Sequence, residues 1–228
     1  MKNFLKRAWK FSLKCACWFV AISVAWVLMY KWVNPPTTVL QLLEGKDHDR
    51  HWVDMDEMSQ KMALAVVASE DQRFPEHWGF DTEAIAKAIE YNKTHSKTRG
   101  ASTISQQCAK NVFLWPSRSW VRKGMEVWFT ALIELFWSKE RIMEVYLNVI
   151  EMGPQTFGVE AAGQKYFNVS ATKLTSAQAA LIAGGLPSPK KSNPGKPSNY
   201  LRKRGQQIQK QMRQLGGVAY LPWSESKD

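Results

Sequence analysis

Apolar residues along the chain recur mainly at intervals of three and four, the spacing of amphipathic α-helices, whereas strand-like alternation is scarce. The clearest stripe follows Ser138, which can cap a helix, and consists of Ile142, Val145, Tyr146 and Val149. A stripe over residues 55–69 predicts another helix, which ends near Glu70. The same pattern predicts helices over residues 82–92, 102–111, 119–136, 157–167, 176–183 and 197–215. We therefore predict a mainly α-helical domain.

Two stretches interrupt the helical pattern. Residues 184–189 (Gly-Gly-Leu-Pro-Ser-Pro) predict a loop, because glycine and proline both disfavour continued helix. Residues 94–101 are polar and basic, and they predict a mobile connection. Ser102 is the expected cap of the next helix, because a serine hydroxyl can accept a bond from a free backbone N–H.

The first 33 residues have the charge distribution of a membrane anchor. Residues 1–14 carry five cations and no acid, and residues 15–30 are uncharged. Because Lys14 and Lys31 can extend their ammonium groups toward water, a segment over residues 13–33 is long enough to cross a hydrocarbon layer of ~30 Å. The positive-inside rule then places the N-terminus in the cytoplasm and the rest of the chain outside.

A cleaved signal peptide is the alternative for this segment. Such a peptide needs a small-x-small cleavage site, and residues 30–36 (Tyr-Lys-Trp-Val-Asn-Pro-Pro) contain none, so we favour a retained anchor. The predicted organisation is a cytoplasmic tail over 1–12, a transmembrane anchor over 13–33, an extended linker over 34–40, a globular domain over 41–222 and a tail over 223–228.

Composition narrows the class of partner. Hydrophobic residues make up 45% of the 228-residue chain, which is enough for a packed core. The net charge of +11 indicates an anionic partner, which could be a nucleic acid, an acidic membrane or a phosphorylated substrate. Neither the three cysteines nor the four histidines have the spacing of a disulfide framework or a zinc site, so the cysteines are expected to be unpaired.

Glu70 and Asp71 are the first candidates for chemistry. Two adjacent acids close an apolar, alanine-rich predicted helix, and a partly buried carboxylate can act as a base near neutral pH because burial raises its pKa. A solvated helix end is the alternative. Acids at a helix C-terminus oppose the helix dipole, which disfavours a purely structural role.

Two further segments carry polar groups at helical spacing. Thr103, Gln107, Lys110 and Asn111 would share one helix face, which suits a sugar or a phosphate. A solvent-facing stripe is the alternative. Arg122 and Glu126 follow at the i, i+4 spacing, which allows either an exposed ion pair or a second carboxylate held in a cleft.

These segments resemble the motifs of the peptidoglycan glycosyltransferases of family 51, in their monofunctional, membrane-anchored form. The motif E-D-x-x-F-x-x-H-x-G is matched by Glu70, Asp71, Phe74, His77 and Gly79. The motifs G-x-S-T-[IL]-[ST]-Q-Q-x-x-K-N and R-K-x-x-E are matched by residues 100–111 and 122–126. Later matches cover residues 139–148, 157–162 and 183–189. Cys108 replaces a usual leucine and Gly185 is inserted, but neither is a proposed catalytic group.

The resemblance implies a lysozyme-like glycosyltransferase domain that polymerises lipid II, a disaccharide-pentapeptide on undecaprenyl pyrophosphate. The 4-hydroxyl of lipid II would attack the anomeric carbon of the growing chain with inversion, and Glu70 would be the general base. Lys110 and Arg122 are assigned to the phosphates, and Glu126, the second predicted catalytic residue, either positions the leaving group or binds a cation. The remaining predicted substrate-binding residues are Asp71, Phe74, His77, Thr103, Gln107 and Asn111.

The resemblance also sets expectations for cofactors, partners and location. No cofactor is required, and a divalent cation such as Mg²⁺ or Mn²⁺ is left open. The expected partners are lipid II, the nascent glycan strand and membrane lipids, while other cell-wall synthesis proteins are left open. The expected location is the bacterial inner membrane. Residues 113–116 and Trp120 form an apolar patch that either enters the membrane interface or packs in the core.

Three alternative functions differ in what they need. A lysozyme-like lytic enzyme that cuts glycan would share the fold, but it needs no cations for a phosphate. A non-catalytic scaffold would have no use for both Glu70 and Glu126. Binding to nucleic acid rests on charge alone, lacks a motif and conflicts with the anchor, so no nucleic acid is expected.

Overall fold

The computed structural model describes residues 2–44, 51–95, 100–117 and 119–224. Its helices are α1 (Lys2–Trp32), α2 (Val39–Glu44), α3 (Gln60–Glu70), α4 (Thr82–Thr94), α5 (Ile104–Phe113), α6 (Trp120–Phe136), α7 (Lys139–Val149), α8 (Val159–Phe167), α9 (Ser176–Gly185) and α10 (Asn199–Gln214). A short antiparallel hairpin of β1 (Glu151–Gly153) and β2 (Thr156–Phe157) connects α7 to α8. The predicted mainly α-helical architecture is confirmed.

Helix α3 lies at the centre of the domain. Every side chain from Met62 to Ala68 is buried, because α9 and α10 pack against it. A helix that is covered on all sides must be apolar on all sides, which explains its run of Ala, Val and Leu. The helix ends at Glu70, as predicted, so the first acid after this apolar run emerges at the boundary of the core.

The predicted loop over residues 184–189 is wrong at its first two positions. Gly184 and Gly185 form the last residues of α9, and the chain turns only after them. A Cβ on Gly184 would lie 3.2 Å from Leu201 of α10, and one on Gly185 would lie 3.0 Å from Ser192. These glycines therefore permit close packing against α9 and do not end the helix.

Two predicted boundaries also need correction. Thr103, and not Ser102, is the N-cap of α5: its hydroxyl accepts a bond from the backbone N–H of Gln106, whose side chain accepts in return from the N–H of Thr103. Phe157 belongs to β2, so the following helix begins at Val159. Residues 96–99 of the predicted mobile connection lie outside the described residues.

Helix α1 is long and apolar enough to cross a membrane, and its C-terminal half packs against the domain. The indole N–H of Trp128 donates to Ser23 Oγ at 3.1 Å, and that of Trp137 donates to the carbonyl of Val27 at 2.8 Å. The guanidinium of Arg141 donates to the carbonyl of Tyr30 at 2.9 Å. One side of α1 is therefore bound to the domain, so the chain connection is not the sole link between the two.

The predicted apolar patch over residues 113–116 and Trp120 is divided in the structure. Phe113 and Leu114 are buried, and the ring of Phe113 stacks on Phe129. Trp115 and Trp120 remain exposed, at 42% and 92%. Core packing therefore explains Phe113 and Leu114, whereas Trp115, Pro116 and Trp120 are available to a membrane surface.

Trp223, which the sequence places in the C-terminal tail, packs in the core. Its indole N–H donates to Gln60 Oε1 at 2.9 Å, and its ring meets Phe74 edge to face. The domain therefore continues at least to this residue. The three cysteines Cys15, Cys17 and Cys108 are unpaired, as predicted.

Candidate active site

Two cavities lie next to each other along α5. The larger, about 740 Å³, is polar and contains Glu70, and Thr103 and Gln107 line it from α5. The smaller, about 370 Å³, is lined by Lys110 and Asn111 from the same helix. The residues of the predicted polar stripe therefore line cavities, and they are divided between two adjacent ones. Successive turns of a helix are about 5.4 Å apart, so the two cavities are close neighbours.

Glu70 projects into the larger cavity from the end of α3 and is partly buried. Burial raises the pKa of this carboxyl above its ordinary value. A hydrogen bond from Gln107 Nε2 to Glu70 Oε2, at 3.0 Å, opposes that rise, and the positive charge of Arg204 opposes it more weakly. The result is a carboxyl with a raised pKa and a defined donor, which is the arrangement expected of a general base.

Asp71, the next residue, has a different environment. It is buried, and its carboxylate accepts a bond from the backbone N–H of Ile104 at 3.0 Å. His77 Nε2 lies 2.9 Å from the same carboxylate. Asp71 therefore joins the end of α3 to the first turn of α5, where a negative charge also suits the helix dipole. Although Asp71 lies beside the larger cavity, these contacts indicate that it positions the helices.

Thr103 has a similar positioning role. In addition to capping α5, its hydroxyl donates to the carbonyl of Gly79 at 2.7 Å. Gly79 has a φ of +78°, and a Cβ there would lie 2.7 Å from Thr130 and 2.9 Å from Glu134. Only glycine fits this position without displacement, which accounts for the glycine that ends the first motif.

The smaller cavity combines cations with an apolar wall. Lys110 and Arg122 line it together with Leu114, Trp115 and Pro116. Desolvation lowers the pKa of Lys110, the negative charge of Glu126 opposes that change, and the positive charge of Arg122 adds to it. A cavity with two cations beside apolar side chains is suited to an anionic group that carries a hydrocarbon chain.

Glu126 is buried beneath these cations. Arg122 Nη1 donates to Glu126 Oε2 at 2.7 Å, and the ammonium of Lys123 contacts Glu126 Oε1. Because both carboxylate oxygens already contact cations, this site does not fit a divalent metal ion on Glu126. In the described part of the chain, no three His, Cys, Asp or Glu side chains converge as metal ligands. The arrangement fits Glu126 as the residue that positions Arg122.

Phe74 and His77, both predicted to bind substrate, are not among the residues that line either cavity. The ring of Phe74 is fully buried, and the ammonium of Lys139 lies 4.6 Å from its centre. His77 is held by Asp71 as described above. Phe74 has no exposed surface and packs in the core, so its contact with substrate stays a prediction.

Two residues that the sequence did not assign to the site lie beside Glu70. Arg204 reaches the larger cavity from α10, and one of its Nη atoms donates to the carbonyl of Ser69 at 3.3 Å. Tyr146, in the core stripe of α7, donates its hydroxyl to Gln107 Oε1 at 3.2 Å. Residue spacing could not identify either one, because each is more than 35 positions from the residue it contacts.

Comparison with known proteins agrees with this geometry. A family model described as "Transglycosylase" matches residues 37–213, which include every residue of both cavities. A protein named "Biosynthetic peptidoglycan transglycosylase" from Pseudomonas entomophila (strain L48) is 51% identical over 214 residues, covering 90% of each chain. A protein of the same name from Stutzerimonas stutzeri (strain A1501) is 47% identical over 230 residues, covering 97% of this chain and 93% of the other. The chain therefore belongs to the transglycosylase family, whose domain has the predicted lysozyme-like fold.

Proposed function

We propose that this protein polymerises peptidoglycan glycan strands by transferring the growing chain from undecaprenyl pyrophosphate to the 4-hydroxyl of lipid II, with inversion at the anomeric carbon. The observation that carries the proposal is the placement of a carboxylate cavity and a cation cavity on neighbouring turns of α5. A transfer between a sugar hydroxyl and a sugar pyrophosphate needs both a base and a site for the departing anion.

Glu70 is the base in this proposal. A sugar hydroxyl is a weak nucleophile, so a carboxylate that removes its proton in the transition state accelerates the attack. Burial raises the pKa of Glu70, which makes the carboxylate a stronger proton acceptor than an exposed glutamate. The larger cavity, about 740 Å³, has room for a sugar beside this carboxylate.

Lys110 and Arg122 stabilise the leaving pyrophosphate. This group departs as an anion, so it requires positive charge more than it requires a proton donor. The guanidinium of Arg122 can bind two phosphate oxygens at once, and Glu126 holds it in place at 2.7 Å. The apolar wall formed by Leu114, Trp115 and Pro116 would accommodate the first part of the lipid chain.

The proposed location follows from the position of the smaller cavity relative to α1. Phe113, which directly precedes the cavity residue Leu114, packs edge to face against Trp26 of α1 at 5.3 Å. A lipid-linked substrate must be bound near the membrane, and this cavity lies beside the helix that would cross it. We place the N-terminus in the cytoplasm and the domain outside the bacterial inner membrane.

Polymerisation of purified lipid II by the full-length protein in detergent tests the proposal. Wild-type protein should lengthen lipid II into glycan, and Glu70→Gln should reduce the rate by about 10²- to 10⁴-fold, the usual contribution of a general base. Product formation by Glu70→Gln at near wild-type rate would refute the role of Glu70. Cleavage of preformed glycan without extension of lipid II would favour the lytic alternative.

A further inference from the structure

Tyr146 is a buried phenol that the proposed reaction does not use directly. Its side chain has no exposed surface and lies within the core stripe of α7. Its hydroxyl nevertheless donates a hydrogen bond to Gln107 Oε1 at 3.2 Å. A buried tyrosine hydroxyl usually has a partner, but here that partner is a residue of the proposed site.

Gln107 connects Tyr146 to Glu70. A primary amide offers an oxygen that only accepts and a nitrogen that only donates. With Oε1 toward Tyr146, the Nε2 group donates to Glu70 Oε2 at 3.0 Å. If the amide were reversed, its oxygen would face the carboxylate, and the two acceptors would repel each other unless Glu70 were protonated.

We infer that Tyr146 is a positioning residue for the proposed base Glu70: its hydroxyl anchors Gln107 Oε1, which keeps the Nε2 donor directed at the carboxylate. This inference rests on the proposed function, because it concerns the protonation state in which Glu70 can act. Tyr146 does not touch substrate and acts through Gln107 alone.

The electrostatic environment supports this role. Among the influences that oppose the burial-induced rise in the pKa of Glu70, the Gln107 hydrogen bond is the largest and exceeds that of Arg204. The pKa of Tyr146 itself is raised well above its ordinary value, first by burial and then by the charge of Glu70. Tyr146 therefore stays neutral and remains a donor over the whole pH range in which Glu70 titrates.

The test is the pH dependence of kcat/KM for lipid II polymerisation by full-length Tyr146→Phe, which keeps the ring and removes the hydroxyl. Without the hydroxyl Gln107 loses its anchor on Oε1, so its Nε2 donor is held less firmly at the carboxylate and the acidic limb should move to higher pH. Near neutral pH the rate should fall about 3- to 10-fold, the size expected for one hydrogen bond to a buried group. The loss should diminish as the pH rises, because Glu70 is then ionised in both proteins.

A double substitution separates this role from a structural one. In a Gln107→Ala background the amide is absent, so adding Tyr146→Phe should not move the acidic limb further. A purely structural effect of Tyr146 would still lower the rate in that background. Tyr166→Phe is the matched control, because its hydroxyl lies outside both cavities and its profile should equal that of wild type.

An unchanged acidic limb in Tyr146→Phe, or a further shift in the double variant, would overturn the inference. Glu70→Gln measured in parallel identifies which proposal has failed. If Glu70→Gln is inactive and Tyr146→Phe has the wild-type profile, only the role of Tyr146 is refuted. If Glu70→Gln is active, the assignment of the base fails, and the role of Tyr146 fails with it.

Discussion

Arg122 and Glu126 are one turn apart on α6, and they meet at 2.7 Å with side chains that are only 13% and 4% exposed. The same spacing on a helix surface would describe an exposed pair that contributes ~0.3–0.5 kcal/mol. Here the carboxylate instead fixes the direction of a guanidinium that lines the smaller cavity. The pair therefore orients a positive charge toward the proposed pyrophosphate.

Replacing Arg122 should raise the free energy of the transition state more than that of the bound substrate. Arg122→Ala is expected to lower kcat/KM for lipid II by about 10²- to 10³-fold, the loss typical of one electrostatic contact to a developing charge. Arg122→Lys should recover part of this loss, because it keeps the charge but lacks the planar pair of donors. Steady-state polymerisation rates measure both effects.

Arg202→Ala is the matched control for these variants. Arg202 is exposed on α10 and lines neither cavity. It should retain wild-type kcat/KM. An equal loss in Arg202→Ala and Arg122→Ala would indicate a general effect of net charge and would contradict a specific phosphate site.

The rate should depend on pH at both ends of the range. Activity requires ionised Glu70, whose pKa is raised above 4.5 by burial, so the acidic limb should lie above the range of an exposed glutamate. Activity also requires protonated Lys110. Desolvation lowers the pKa of Lys110 below 10.5, so the rate should fall as the pH rises through this lowered pKa. The measurement is kcat/KM across the pH range.

Lys110→Arg distinguishes the two limbs. A guanidinium stays protonated throughout this range. The alkaline limb should therefore move to higher pH, while the acidic limb stays at the same pH. An alkaline limb that does not move in Lys110→Arg would assign that limb to another group.

Glu70 should lower the stability of the fold at neutral pH. A carboxyl whose pKa is higher in the folded than in the unfolded protein stabilises the fold only while it is protonated, and this contribution is lost as the pH rises through the folded-state pKa. Glu70→Gln should therefore have a higher Tm than wild type at pH 7. The difference should vanish well below pH 4.5, the ordinary pKa of the group, because the carboxyl is then neutral in both states.

Glu90→Gln is the corresponding control for stability. Glu90 is exposed on α4, and its contact is an ion pair with Lys93 on the surface. This substitution should change Tm little at either pH. If Glu70→Gln had a lower Tm than wild type at pH 7, its carboxylate would be stabilising and the burial argument would be wrong.

Thr103→Ala should affect stability and activity together. It removes the N-cap of α5 and the bond to the carbonyl of Gly79, so the free energy of unfolding should fall by about 1–2 kcal/mol. Because α5 also carries Gln107 and Lys110, the rate should fall as well. Chemical denaturation and polymerisation assays measure the two effects.

Thr103→Ser keeps the hydroxyl and should restore most of both properties. Ser102→Ala removes the hydroxyl that was expected from sequence to cap the helix, and it should leave the stability near that of wild type. A larger loss in Ser102→Ala than in Thr103→Ala would contradict the observed cap.

Trp115 and Trp120 should contribute to membrane association. They remain exposed next to the smaller cavity and at the start of α6, where aromatic side chains can enter the membrane interface. In protein reconstituted into liposomes, brominated lipids should quench a smaller fraction of the tryptophan fluorescence in the double variant Trp115→Ser and Trp120→Ser than in wild type. Trp78→Ser is the control, because Trp78 is 74% exposed and lines neither cavity. An unchanged quenched fraction in the double variant would contradict this role.

The sequence predicted most helices and several of the residues that line the two cavities, because both depend on local spacing. Periodicity located α3 and α7, and the motifs located Glu70, Lys110 and Arg122. Local spacing does not reveal which face of a helix meets a neighbouring helix. The burial of Glu126 and of Phe113 therefore became evident only from the folded structure.

The remaining differences have the same physical origin. Two consecutive glycines are typical of a loop. Gly184 and Gly185 instead lie in α9, where the absence of a side chain lets Leu201 and Ser192 approach closely. Tyr146 has the pattern of a core residue, and its ring is one, while its hydroxyl reaches a residue 39 positions away. The hydrophobic pattern shows that Tyr146 packs in the core, but it does not show the hydrogen bond that its hydroxyl makes.

The lateral attachment of α1 determines how the enzyme can meet its substrates. Trp128, Trp137 and Arg141 hold the C-terminal half of α1 against the domain, so these contacts set where the domain lies relative to α1. Extra residues within 35–40 would leave that placement unchanged, because these contacts precede them. In the proposed membrane orientation the domain moves together with α1, and lipid-linked substrates reach it by two-dimensional diffusion in the bilayer.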